Sequence, residues 1–202
     1  MYIPKHFESP TQELTLEAMR RYNFATLVSV EKTGEPIASH IPMVVEAGEP
    51  ITLHFHLARA NPLANVLRET RRATVMFLGP HAYMSPSVYP DLKRVPTWNY
   101  IAVHAYGDVV ELDGEAAKDG LLKSLIALHE PAYAQQWRDL DSGYQSRQMS
   151  AITAFRLDVT RLDSSFKLNQ HRKEALEAMK KTYAAGNDNE RDLAQWMERF
   201  GS

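Results

Sequence analysis

The chain has 202 residues, enough for one domain with its own core or one domain with an appendage. Hydrophobic residues make up 44% and charged residues 24%, and 23 basic side chains face 25 acidic ones, so the charge balance of a general nucleic-acid or anionic-membrane binder is absent. There is no cysteine, which excludes disulfides, thiolate catalysis and Cys-ligated zinc or iron–sulfur centres.

Met1 to Glu8 mixes charge and proline where a signal peptide needs an apolar stretch. No run approaches the ~18–20 apolar residues of a membrane span, so a cytoplasmic protein is expected. The first element reads as a helix capped by Ser9, with Pro10 in its first turn, Gln12 as capping-box partner, and Leu14, Leu16, Ala18 and Met19 as its apolar side. The period then changes. Ala25 to Val30, Ile37 to Val45 and Ile51 to Leu57 read as three strands joined by turns at Lys32 to Pro36 and Gly48 to Pro50. Asn61-Pro62 starts a helix that runs to about Thr70. Arg72 to Leu78 reads as a fourth strand ended by Gly79-Pro80, and His81 to Thr97 as a long proline-rich loop. Asn99 to Leu112 is a long strand, Asp113 caps a helix to about His129, two short helical pieces cover Ala132 to Met149, and Ile152 to Leu162 is the last strand. His171 to Phe200 reads as two helices broken at Gly186-Asn-Asp.

Six or more strands with turn-rich links predict a mainly β, α+β architecture, an antiparallel barrel closed or nearly so. The short links between the first three strands leave no room for βαβ crossovers. The expected organisation is a barrel domain over residues 1–165 with inserted helices, and a helical segment over 166–202 packed on it.

Four stretches carry candidate chemistry. Arg59 leads directly into the helix capped by Asn61, a geometry suited to a phosphate: a guanidinium fork beside the partial positive charge of a helix amino terminus. His54 and His56 share one face of a strand, ~6.6 Å apart, but a metal site needs a third ligand and only His40 or His104 offers itself; core or cofactor-contact histidines are the plainer reading, and no metal is expected. Trp98, Asn99 and Tyr100 open a strand and suit either a planar heterocycle or a core or dimer-interface anchor. Phe166 to Arg172 is a compact cationic stretch that offers Lys167, Gln170 and Arg172 to an anionic or amide-bearing ligand, or else is a solvated helix start. No nucleophile elbow, P-loop or dinucleotide fingerprint is present.

Six blocks in series resemble the PaiB family: Met1 to Phe7, Ser39-His-Ile-Pro42, His56 to Pro62, Gly79 to Pro86, Val95 to Tyr100 and Lys167-Leu-Asn-Gln170. These are FMN-binding proteins described as negative transcriptional regulators, and they resemble the wider split-barrel flavoproteins that include pyridoxamine-phosphate oxidases. The resemblance implies an FMN-binding split β-barrel and a homodimer with FMN where two subunits meet. It implies that Ser39, His40, Ile41 and Pro42 line the isoalloxazine and ribityl chain, and that His56, Leu57, Arg59 and Asn61 hold the phosphate. Trp98 and Asn99 would come from the partner subunit, and Lys167 with Gln170 would close the site. Val88, Asn169 and His171 depart from the family's usual tryptophan, serine and asparagine.

The resemblance implies a flavin-dependent oxidoreductase or a flavin-linked transcriptional regulator. A DNA-binding repressor without flavin chemistry is the alternative, weakened by a last helix that is net negative. A haem protein ligated by His40, His54, His56 or His104 is a more distant one.

Overall fold

The computed structural model describes residues 1–91 and 93–200; Gly201 and Ser202, the end of the expected helical segment, lie outside the described residues. In chain order the elements are α1 (Gln12–Arg21), β1 (Phe24–Val30), β2 (Pro36–Pro42), β3 (Val44–Glu46), β4 (Thr52–Ala58), α2 (Leu63–Thr70), β5 (Arg72–Met84), β6 (Thr97–Leu112), α3 (Glu115–His129), α4 (Ala134–Asp139), α5 (Ser142–Ser150), β7 (Ile152–Lys167), α6 (Leu176–Ala184) and α7 (Asp188–Phe200). The chain groups into two compact units, residues 23–76 with 105–162, and residues 1–22 with 77–104 and 163–202. β5, β6 and β7 each contribute residues to both units.

The first unit is the barrel. Its sheet has the order β2-β1-β5-β6-β7-β4-β3. The two ends of that order are consecutive in the chain. β2 pairs with β1 from Phe24↔Pro42 to Val30↔Pro36, and β3 pairs with β4 from Val44↔His54 to Glu46↔Thr52. Only Met43 separates them; it is fully buried, and its N–H donates to the carbonyl of Asn23 at 2.9 Å. The stretch expected as one strand from Ile37 to Val45 therefore splits at Met43, and its two halves pair with different neighbours, β1 and β4, so that the two ends of the sheet order are joined through one residue. Inside, odd-numbered residues of β1 and β4 are buried, as the two-residue period demands. Phe55 and Phe155 are register partners whose rings stack at 5.6 Å. At Gly107 a Cβ would meet the carbonyl of Asp158 at 2.3 Å, so only glycine allows this approach of β6 to β7.

The second unit is built on the continuations of β5, β6 and β7, with α1, α6 and α7. Its core includes Phe166, Tyr183, Leu193 and Trp196. The Trp196 indole donates to the Tyr22 hydroxyl at 2.6 Å, and that hydroxyl donates to Asp192 at 2.7 Å. Burial and the Asp192 carboxylate push the Tyr22 phenol well above its ordinary range.

Several expected boundaries move. Thr11 rather than Ser9 caps α1, accepting from the Leu14 N–H at 3.2 Å, because Thr11 is the last extended residue before the first turn. β5 runs on through Gly79-Pro80 to Met84. Its register with β1 ends at Met76, so Pro80 withholds no donor from that neighbour, and Gly79 admits the Tyr22 ring, which a Cβ would approach at 3.0 Å. Gly114 rather than Asp113 precedes α3; its φ of 88° lies in the region that favours glycine, and no side-chain bond caps the helix. β7 extends past Leu162 to Lys167, where Glu8 bridges to Ser165.

Candidate functional site

In the barrel unit, the middle of β2 and the loop from β4 to α2 meet at Ser39 and Asn61. The Asn61 amide donates to the Ser39 hydroxyl at 3.0 Å, and its carbonyl oxygen accepts the Leu63 N–H at 3.0 Å. Ser39 uses a lone pair for that bond, so its own O–H remains to be donated elsewhere. One residue on, His40 is exposed and shares a 2.9 Å hydrogen bond through Nδ1 with the Thr26 hydroxyl. Ile41 and Pro42 complete the strand, half-buried, opposite Ala25 and Phe24.

Strand alternation separates His56 from Leu57. Leu57 is 1% exposed with its side chain in the barrel core, so only its backbone is left to serve the phosphate. His56 is on the other face, half-buried, and its Nδ1 is buried without a hydrogen-bond partner. Burial lowers its pKa, which favours the neutral ring. His54, on the same face, bonds Thr52 and Glu46, each at 3.2 Å. Among the described residues no three His, Asp or Glu side chains cluster as metal ligands.

Arg59 is exposed and its backbone N–H is tied to the Ala151 carbonyl at 2.8 Å, while no partner among the described residues engages its guanidinium. The first turn of α2 differs from expectation. The N–H groups of Leu63, Ala64 and Asn65 already bond Asn61 and Pro62, so they are not free for an anion. What the loop offers a phosphate is the Arg59 fork together with the helix partial charge.

The other four expected site residues belong to the second unit. Trp98 is 54% exposed, edge-on to Tyr83 at 6.4 Å, and is therefore not a core anchor. Asn99 is fully buried and its amide donates to the Tyr183 hydroxyl at 3.0 Å, which in turn donates to the Ala82 carbonyl at 3.2 Å. Burial pushes the Tyr183 phenol up to about 12. The Asn99 amide nitrogen is thus engaged within its own chain, while its buried side-chain oxygen has no partner among the described residues. Gln170 is committed as well: its amide donates to the carbonyls of His6 and Phe166 at 2.8 and 2.9 Å, and its oxygen accepts the Leu168 N–H. Lys167 donates to the Thr97 hydroxyl at 2.6 Å and lines a cavity beside His6, Phe7 and His171. Tyr183 and His6 escaped the sequence reading because their partners are distant in the chain.

An FMN molecule brings a phosphate dianion, ribityl hydroxyls and a flat apolar ring system. The barrel unit fits those needs with the Arg59 cation, unpartnered among the described residues, the Ser39 donor, the orphaned His56 nitrogen, and the half-buried Ile41 and Pro42. No helix among the described residues is long and apolar enough to cross a membrane.

Comparison with known proteins agrees with this fit. The family model described as "Putative FMN-binding domain" matches residues 1–161. The chain is 32% identical to the Protease synthase and sporulation protein PAI 2 of Bacillus subtilis (strain 168), across 98% of this chain and 97% of that protein. In fold it is similar to an FAD and heme binding protein from Mycobacterium smegmatis, at a TM-score of 0.62 and 18% identity over 79% of this chain and 73% of that one. It is likewise similar to the flavocytochrome Anf3 from Azotobacter vinelandii, at a TM-score of 0.61 and 15% identity over 82% and 72% of the two chains.

Proposed function

Since this chain belongs to the FMN-binding PaiB family, we propose that it acts as a homodimeric FMN-dependent redox protein whose cofactor is held by the loop from β4 to α2 and the end of β2. The observation that carries this reading is the Arg59 guanidinium, unpartnered two residues before an Asn61 that is itself locked to Ser39. A cation left without a carboxylate beside a fixed donor set suits a phosphate monoester. When bound, FMN supplies one- and two-electron transfer. The chain's own residues then have defined tasks: Arg59 binds the phosphate, Ser39 donates to a hydroxyl, and Ile41 and Pro42 present an apolar surface to the ring. His56, kept neutral by burial, offers a hydrogen bond without a competing charge.

A second copy is the natural cover for the outer barrel face, where Phe24 is 68% exposed, Val30 50% and Val110 44%. Phe24 and Val30 stand at the two ends of β1 and Val110 on β6, two strands away, so the open apolar side chains are spread over this face of the sheet, as an interaction surface would need.

Direct DNA binding by the carboxyl-terminal helices is disfavoured. α7 carries Asp188, Glu190, Asp192 and Glu198 against Arg191 and Arg199. Arg191 is paired with Asp188, and Arg199 with Glu17 at 2.5 Å, while Leu193, Trp196 and Met197 face the core. A recognition helix needs free cations facing phosphate. The test is an FMN titration of the wild type and of Arg59→Gln, read together with the sedimentation mass. Saturable binding by a dimer, weakened in the variant, supports the reading.

A further inference from the structure

Residues 1–22, 77–104 and 163–202 enclose a cavity of about 370 Å³ that none of the barrel residues lines. Its charged lining consists of Lys93, Arg94, Lys167 and Arg172, with the imidazoles of His6 and His171 and no carboxylate. The nearest acids, Asp91 and Glu174, are both taken by Arg94, at 2.9 and 3.2 Å. Lys93, Lys167 and Arg172 therefore point positive charge at the same space with no ion-pair partner among the described residues. Asp91 and Glu174 offset part of this field, since one Arg94 charge answers both and they also act on Arg172 and His171, but four cations against two carboxylates leave a positive excess on a half-buried wall that an anion would answer.

The rest of the wall is aromatic and apolar. The His6 and His171 rings lie 4.6 Å apart, Phe7 lies 5.5 Å from His171, and the Lys167 ammonium is 5.9 Å from the Phe7 ring. Tyr89 closes another side, with the Arg94 guanidinium 4.9 Å over its ring. Two distant contacts build the cavity: the Gln170 amide fixes the His6 carbonyl at 2.8 Å, and Lys167 bonds Thr97 at 2.6 Å. Asn169 turns the chain between them with a φ of 55°, a conformation asparagine tolerates. Desolvation lowers the pKa of Lys167, and in His171 the same effect is reinforced by its basic neighbours, as a positive, half-dry pocket requires.

We infer that this cavity is a second ligand site, separate from the flavin residues of the barrel, that takes a small aromatic acid: a phosphate or carboxylate held by Lys167 and Arg172, with its ring against Phe7 and the two imidazoles. The volume is at the small end of ligand sites, enough for one substituted ring and its acid group. On this account Lys167 serves the acid and not the flavin, a different task from the one the family resemblance implies. The inference does not depend on the flavin reading.

The experiment is a calorimetric titration with phenyl phosphate, using protein saturated with FMN and, in parallel, protein without added FMN. Phenol serves as the uncharged control. The expected result is saturable binding of one phenyl phosphate per chain in both preparations and none of phenol. Lys167→Gln and Arg172→Gln should each weaken binding at least tenfold, while Lys181→Gln, an equal charge change on exposed α6, should leave it unaltered. Arg172 is on a turn outside the core, so its variant keeps the test valid if Lys167→Gln fails to fold. No saturable binding, binding indifferent to both variants, or binding abolished by FMN overturns the inference. The last outcome would mean that the cavity belongs to the flavin site. Failure of FMN itself to bind leaves the phenyl phosphate titration readable and counts only against the flavin reading.

Discussion

Asn61 clamps Ser39: one end of its side chain donates to the Ser39 hydroxyl while the other caps α2 at Leu63, both at 3.0 Å. A single amide thus ties the middle of β2 to the loop that presents Arg59. Replacing it separates the two duties. Asn61→Asp keeps the cap but sets a carboxylate beside Arg59 and the phosphate, so FMN affinity should fall at least tenfold with little change in Tm. Asn61→Ala should lose both, with about 1 kcal/mol of stability from the missing cap. Melting curves and flavin titrations on the two variants distinguish these outcomes.

Tyr183→Phe should destabilise the second unit by about 1–3 kcal/mol, because Asn99 is fully buried and its oxygen already lacks a partner. For a chain of this length that corresponds to about 2–4 °C in Tm per kcal/mol. An unchanged Tm would mean that Asn99 finds another partner.

Gly107→Ala should not yield a folded protein, since its Cβ would meet the Asp158 carbonyl at 2.3 Å and the Leu157 side chain at 2.4 Å. Recovery of soluble, cooperatively melting protein would contradict the close approach of β6 to β7.

Much of this was legible in the sequence because the signals were local. Asn61-Pro62 announced the start of α2, alternation placed His54 and His56 on one face, and turn residues located the meander. The split at Met43 was not legible, because the pattern from Ile37 to Val45 is continuous and only the change of partner from β1 to β4 breaks it. Gly79-Pro80 read as a stop because punctuation in the chain cannot reveal a strand whose neighbour has already ended. In the candidate site, Arg59 and Asn61 stood out from residue type and order, whereas Ser39 entered only through the family resemblance. Leu57, Asn99 and Gln170 were expected at the flavin; within the chain the Leu57 side chain packs in the core, and the amides of Asn99 and Gln170 bond groups that no local signal could name. Their partners, such as Tyr183 for Asn99 and His6 for Gln170, are 84 and 164 residues away.

Stability should decline as the pH is lowered from 7 toward 5. Burial holds the pKa of His56 below its ordinary 6.5, so the unfolded chain binds more protons than the folded one below that value. The contribution is complete above pH 6.5 and is lost as pH falls through the folded pKa. His104 and His171, lowered chiefly by burial too, act in the same direction. His56→Gln should therefore flatten the fall in Tm between pH 7 and 5 without abolishing it; an unaltered slope would show that His56 does not titrate differently on unfolding.

On the proposed homodimer, Phe24→Glu should give a monomer in sedimentation and weaken FMN binding with it, because a charge replaces an apolar ring on the outer barrel face. A variant that stays dimeric would place the contact elsewhere.

The most direct measurement is a fluorescence titration of FMN with the purified protein, repeated for Arg59→Gln. The account predicts saturable quenching at one FMN per chain, a flavin absorbance band on the isolated complex, and at least a tenfold loss of affinity in the variant. A protein indifferent to FMN, or a variant that binds it as tightly as the wild type, would contradict the assignment of Arg59 to the phosphate.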